Sequence, residues 1–315
     1  MTKEYTELSS GKVRIWKPER GAGLAFALVA VVLGFAWTGS GCGKRGPSAE
    51  ERMANRRATS ALGSGTVGSR LVFLIGGGQQ IALRYIPAGT FMMGSPVTEK
   101  GRDLDETQHE VELTEPYWMG ETEITQGQWQ AVMGGNSPGM SHDDPNLPVQ
   151  GVSWNDAQEF LKELNLRSTL NDDWMWALPT EAQWERACRA GTTGVFAGDL
   201  EDMAWHGGNS GNKVHPVGGR KANAWGLYDM HGNVWDWCAD WFGDYPSHSV
   251  TNPTGPATGS ARVARGGAWC TVGMSCRSAN RSKFAPGERG IIIGFRVAVV
   301  SNRISVSSEC GGAKT

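Results

Sequence analysis

The spacing of apolar residues changes along the chain, and each spacing predicts an element. Ile81–Ile86 and Thr90–Met93 are short apolar runs flanking Pro87-Ala88-Gly89, which predicts two strands around a turn. In His109-Glu110-Val111-Glu112-Leu113 apolar residues alternate with carboxylates, the pattern of a half-exposed strand. Thr125 with Gln128, Ser153 with Asp156 and Thr180 with Gln183 each place a capping hydroxyl three residues before an acidic or amide partner. Three helices should start there. In the second, Ala157, Phe160, Leu161 and Leu164 fall at i, i+3, i+4 and i+7 and form one apolar face. Gly191 stops the third. Beyond it the chain reads as loops, with brief strands near Arg262–Arg265 and Gly294–Val300 and no repeat of fixed period. A few helices against scattered short strands predict a loop-rich α+β domain.

One stretch follows neither period. Asn223-Ala224-Trp225-Gly226-Leu227-Tyr228-Asp229-Met230-His231-Gly232-Asn233-Val234-Trp235-Asp236-Trp237 sets three tryptophans and two carboxylates among glycines. Glycine costs about 1 kcal/mol inside a helix. The stretch therefore reads as a loop pinned by buried indoles, with carboxylates and carbonyls turned toward a cation. Asp229 and Asp236 supply carboxylates, and Gly232 and Val234 could supply backbone carbonyls. Calcium takes six to eight oxygens from such mixed sources. The alternative is a tight loop whose carboxylates cap backbone N–H groups.

Composition narrows the setting. The 315 residues include 14 Trp and 44 Gly, which suits a core with little regular structure. A net charge of −2 without a long basic cluster gives no electrostatic case for nucleic acid. Leu24–Trp37 is an uncharged apolar run behind Lys3, Lys12, Arg14, Lys17 and Arg20. It reads as an export signal or a short anchor, since a comfortable span takes about 20 apolar residues. Gly39-Ser40-Gly41 then precede Cys42, as at a lipoprotein cleavage site; an uncleaved anchor and plain secretion also fit. The expected organisation is a signal or anchor over 1–42, a polar, Gly/Ser/Arg-rich flexible linker over 43–78, a domain over 79–300 and a tail over 301–315. The location would be extracytoplasmic, tethered to a membrane through the N-terminus or secreted.

Export makes the six cysteines, at 42, 188, 238, 270, 276 and 310, available for disulfides. If Cys42 carries lipid, five remain and one stays unpaired or pairs with another chain. The six histidines show neither an HExxH motif nor a tight His/carboxylate spacing. Arg265, Arg277, Arg281 and Arg296 crowd the C-terminal region, either to bind loop carbonyls or to meet an anionic or peptide substrate.

Five ordered segments carry a resemblance: YWMGETEITQGQW (117–129), LPTEAQWERACRAG (178–191), GLYDMHGNVWDW (226–237), RGGAW (265–269) and GFRV (294–297). From about Tyr85 to Val299 the chain resembles the formylglycine-generating enzyme family, the sulfatase-modifying factors. The resemblance implies a C-type-lectin-like variant of the α+β class and a calcium loop at Asp229, Gly232, Val234 and Asp236. It also implies that Cys270 and Cys276, after the Arg265-Gly266-Gly267 turn, are the catalytic pair. In active members two such thiolates hold copper(I), a soft ion for soft ligands, for oxidation of a sulfatase cysteine. Family members bridge the position of Cys188 to the segment around Arg277, so Cys188–Cys276 is a disulfide candidate that would remove a copper ligand. Here Ala268 stands where the oxidases carry serine, and the cysteine pair is spaced one residue wider. The expected function is thus a calcium-stabilised, non-oxidase module that binds or assembles a peptide, glycan or protein of the cell envelope. The alternative is a copper-dependent oxidase acting on a sulfatase.

Overall fold

The computed structural model describes residues 47–139 and 144–302. Helix α1 (Ala49–Ala61) leads into β1 (Arg70–Gly76), β2 (Gln79–Ile86), β3 (Gly89–Met93), β4 (His109–Leu113) and β5 (Tyr117–Gly120). Helices α2 (Gln126–Met133) and α3 (Trp154–Arg167) follow, then β6 (Trp174–Ala177), α4 (Glu181–Arg189) and the short α5 (Leu200–Met203). The remainder is loop around β7 (Trp235–Trp241), β8 (Val250–Thr251), β9 (Arg262–Arg265), β10 (Arg281–Phe284), β11 (Ile293–Gly294) and β12 (Ala298–Ser301). The α+β, loop-rich class is as expected.

The strands form three sheets. The largest has the order β1-β2-β5-β12-β6, the second β10-β9-β7-β11 and the third β3-β4-β8. β12 inserts between β5 and β6, with Val299 opposite both Trp118 and Trp176. The end of the domain thereby closes the sheet its beginning started. Helices α2 and α3 pack on it through Trp129, Phe160 and Phe295, whose ring centroids lie 5.3–6.4 Å apart. Loss of one such ring would cost about 3–5 kcal/mol.

Local signals hold where expected. All three capping boxes form, with Thr125, Ser153 and Thr180 each accepting from the third residue on. Ala157, Phe160, Leu161 and Leu164 are buried, and β4 alternates buried and exposed. α4 ends in left-handed backbone at Ala190 and Gly191.

Two expectations need correction. Residues 47–78 are not a flexible linker, because α1 and β1 lie within that span. β1 pairs antiparallel with β2 through the Gly76-Gly77-Gly78 turn, and Asn55 of α1 donates to Leu74 O and accepts from Leu74 N, both at 2.7 Å. The apolar residues of β1 pack in the main core, which offsets the polar composition of α1. Nor is 223–237 loop throughout: from Trp235 it is β7, buried on both faces, so neither period shows. Residues 1–46, with the apolar run and Cys42, lie outside the described residues, as does Cys310. Among the described residues no helix is long and apolar enough to cross a membrane.

Candidate functional site

The loop that enters β7 is fixed at several points. Asn223 donates to the carbonyls of Ala187 and Cys188 and accepts from the N–H groups of Trp225 and Leu227, so the loop hangs from the end of α4. Asp229 (φ 56°) and Asn233 (φ 61°) are left-handed. Gly232 (φ 111°) packs so closely on the Trp205 carbonyl that a Cβ would collide with it. These turns bring Asp229 and Asp236 inward, 2% and 1% exposed.

A third carboxylate joins them from the segment between β5 and α2. Glu123, 0% exposed, accepts from Val234 N at 3.2 Å and Asn233 Nδ2 at 3.1 Å. Asp229 Oδ2 accepts from Gly218 N at 2.6 Å. Asp236 Oδ2 accepts from Trp184 Nε1 at 3.0 Å and Arg296 Nε at 2.6 Å. Arg296 also donates to the carbonyls of Gly120, Tyr228 and Asp229. The second oxygen of each aspartate, Oδ1, is buried without a hydrogen-bond partner. Burial, with the charges of Asp229 and Asp236 added, holds Glu123 well above the usual carboxylate range. Burial lifts Asp229 to about 6 and raises Asp236 as well.

Three buried carboxylates face one guanidinium, and two carboxylate oxygens are orphaned. That imbalance fits a hard divalent cation. Among the described residues no three His, Cys, Asp or Glu side chains close on one point. Backbone oxygens would complete the shell, the part expected of Gly232 and Val234. Glu123 escaped the sequence reading because it lies more than 100 positions away, in a turn with no pattern of its own.

The cysteines are arranged differently. Gly266 (φ 99°) and Gly267 (φ 82°) shape the turn after Arg265, and a Cβ on Gly267 would stand 2.6 Å from Cys276 Sγ. Cys276 closes a 3-10 turn, Gly273–Cys276, and is buried, whereas Cys270 is exposed. Both are free thiols. Cys276 Sγ lies 4.0 Å from Thr271 Oγ1, and its thiol is pushed up to about 12 by burial, with Cys188 nearby adding to the rise. Burial likewise raises Cys270, and takes Cys188 to about 12.

The candidate Cys188–Cys276 disulfide is not formed; both are free thiols. The His231 imidazole lies against both residues. Nδ1 is 2.7 Å from the Cys276 carbonyl, Nε2 accepts from Ala197 N at 3.1 Å, and the ring nitrogens stand 3.7 and 3.9 Å from Cys188 Sγ. Burial lowers His231 to about 4, so it is neutral and hydrogen-bonded within the fold.

The four C-terminal arginines are consumed internally. Arg265 pairs with Glu185 and lies 3.6 Å from Glu181, and Arg277 pairs with Glu106 and with Glu99. Arg281 pairs with Glu181 and Arg296 with Asp236. All four are buried. They tie loops together, and none is left over for an anionic substrate.

Known proteins resemble this chain in sequence and fold. The sulfatase-modifying factor enzyme 1-like domain matches residues 80–301. The formylglycine-generating enzyme of Streptomyces coelicolor is 33% identical over 205 residues, 58% of this chain and 60% of the enzyme. The chaperone protein LppX of Paenibacillus barcinonensis is 28% identical over 232 residues, 58% of this chain and 79% of the chaperone. The chain spans 60% and 64% of the length of the two bacterial formylglycine-generating enzymes it matches. Among solved structures, Treponema denticola variable protein 1 superposes with TM-score 0.65 and 31% identity, covering 73% of this chain and 98% of that one. PvdO from Pseudomonas aeruginosa gives 0.65 and 29%, covering 75% and 99%. The fold is therefore the one the sequence resemblance implied, and the chain belongs to the sulfatase-modifying factor enzyme 1-like family.

Proposed function

We propose that this protein is a calcium-stabilised binding or assembly module, without oxidase chemistry, that acts on a peptide, glycan or protein of the cell envelope. One observation carries the reading: Cys276 is buried whereas Cys270 is exposed, and no disulfide joins them. A two-thiolate copper site needs both sulfurs on one ion, and here one is exposed while the other is buried beside Thr271 and Cys188. Neither thiol is activated, since burial raises both. A chaperone among the relatives accords with a non-oxidase role. Asp229 and Asp236, with the carbonyls of Gly232 and Val234, are the proposed calcium ligands, and Glu123 adds charge behind them. Tethering outside the cytoplasm rests on the apolar run Leu24–Trp37 and on Cys42.

The competing reading is a copper-dependent oxidase of a sulfatase cysteine, in which copper would supply oxygen activation. Native alkylation and copper(I) titration on chain purified without reductant separate the two. The module reading expects Cys270 to label at once, Cys188, Cys238 and Cys276 to label only on unfolding, and no stoichiometric copper. One equivalent of copper(I) lost in both Cys270→Ser and Cys276→Ser, together with oxidation of a sulfatase-derived cysteine peptide, overturns it.

A further inference from the structure

A cavity of about 520 Å³ lies between the N-terminus of α4, the chain that follows β7, and β8. That volume is in the range of small-ligand sites. Its rim is open, since Asp244, Thr251, Thr254, Gly255 and Pro256 are all exposed. One wall is apolar, formed by Met93, Pro246, Val250, Pro253 and Pro256. The polar lining is rich in acids: Glu181, Asp240 and Asp244 share it with Arg281 and His109, and Arg265 lies 3.6 Å from Glu181.

Arg281 has four of its five N–H groups engaged. It makes two hydrogen bonds to Glu181, at 2.7 and 2.9 Å, and one each to the carbonyls of Asp105 and Gly243, both at 3.0 Å. Arg262 is held in place, although its Nε makes no hydrogen bond among the described residues. It stacks between Trp154 and Trp241, at 3.9 and 3.5 Å from the ring centroids, and donates to Ala239 O. Asp240 is the carboxylate without a direct partner, although Arg281 and Arg262 act on it from a distance. It is 5% exposed and has no ion pair among the described residues. Its Oδ2 accepts from Glu181 N at 2.9 Å, and Oδ1 receives no hydrogen bond from another described residue. Tyr245 Oη adds a second polar atom there, buried beside the Glu181 carboxylate without completing a well-formed hydrogen bond to it.

We propose that this cavity binds an alkylammonium group, with the nitrogen on Asp240 and the methylene stem along the proline–valine wall. A carboxylate held nine-tenths out of water and left unpaired gains most from a cation that enters with its own apolar sleeve. An anion would meet three carboxylates and an arginine with one N–H to spare. The proposal gives the binding module one ligand class and rests on that reading. The nitrogen could come from a free diamine or from a lysine of a polypeptide, and both present the same chemistry.

Calorimetric titration of the full chain with 1,5-diaminopentane and with a short lysine peptide tests it, with 1-pentanol as the uncharged control. The expected result is one saturable site for an amine and none for pentanol. Asp240→Asn, which keeps the acceptor for Glu181 N, should weaken binding about tenfold or more, and rim variant Asp244→Asn by less. Either amine saturating the cavity supports the site, and the tighter of the two tells whether the nitrogen is a small molecule's or a polypeptide's. Absence of saturation, equal binding of pentanol, or undiminished affinity in Asp240→Asn overturns the proposal. If Asp240→Asn does not fold, unchanged affinity in the exposed Asp244→Asn decides against it. Copper(I) titration of the same preparation keeps the two readings apart. Copper binding with amine binding sinks the module reading alone, and neither copper nor amine sinks the cavity alone.

Discussion

At the scale of single residues, Asp240 is costly to keep as an ion. Burial first, and then the charge of Glu181, raise it to about 7, against the opposing pull of the Glu181 N–H group and Arg281. Arg262 and Tyr245 also face this neighbourhood. An acid whose folded-state value lies above its unfolded one holds its proton more tightly when folded. Its contribution is complete below the unfolded value near 4 and is lost as pH rises toward 7. The wild-type chain should therefore lose stability between about pH 4 and pH 7 on account of this group, by at most about 4 kcal/mol. Asp240→Asn keeps the acceptor and removes the titration. Urea unfolding should find the variant more stable than wild type at pH 8, with the gap closing toward pH 5. A gap independent of pH would show that Asp240 carries no buried charge.

At the scale of elements, α1 offers the sharpest test. Its one buried residue is Asn55, whose amide satisfies both backbone groups of Leu74. Asn55→Ala strips those bonds from β1 and should cost about 2 kcal/mol, whereas Arg56→Ala, on the exposed face, should be near neutral. Equal melting temperatures for the two variants would return this segment to the role of a tether. The helix was hidden because it buries almost nothing apolar, although Ser48 and Glu51 form a capping box like the three that were legible. Capping boxes and the apolar face of α3 can be read because their partners lie within a turn or two. β7 cannot, since burial on both faces erases alternation. The order of the largest sheet is equally silent in sequence, because β12 pairs with β5 and β6 across long stretches of chain. The candidate metal loop divides the same way. Asp229 and Asp236 stand out by local composition, while Glu123 bonds to Asn233 from 110 residues away and Arg296 to Asp236 from 60. His231 meets both Cys188 Sγ and the Cys276 carbonyl across distant loops, which spacing alone does not report.

At the scale of the whole molecule, the buried carboxylates join parts that sheet pairing leaves separate. Glu123 follows β5 of the largest sheet, Asp236 belongs to β7 of the second, and Asp229 lies in the loop between α5 and β7. Arg296 answers one of the three charges. The proposed calcium ion would answer the rest and would cross-link the sheets, so its effect should appear in the global transition rather than in one loop. With free calcium at one hundred times Kd, stabilisation should approach about 2.7 kcal/mol, read as a raised melting temperature that chelator reverses. Magnesium should substitute poorly, because it demands a tighter octahedral shell. The choice of variant decides whether the test is clean. Asp236→Ala would strand the buried Arg296 and cost about 3 kcal/mol with or without calcium. Asp229 has no ion pair, so Asp229→Asn should leave stability in chelator unchanged or slightly higher, by removing one of three like charges. In calcium the same variant should lose most of the increment. If wild type and Asp229→Asn gain equally from calcium, or neither gains, the cluster is not a calcium site. Its charges would then have to be relieved by protons, as the raised values of all three carboxyls already permit.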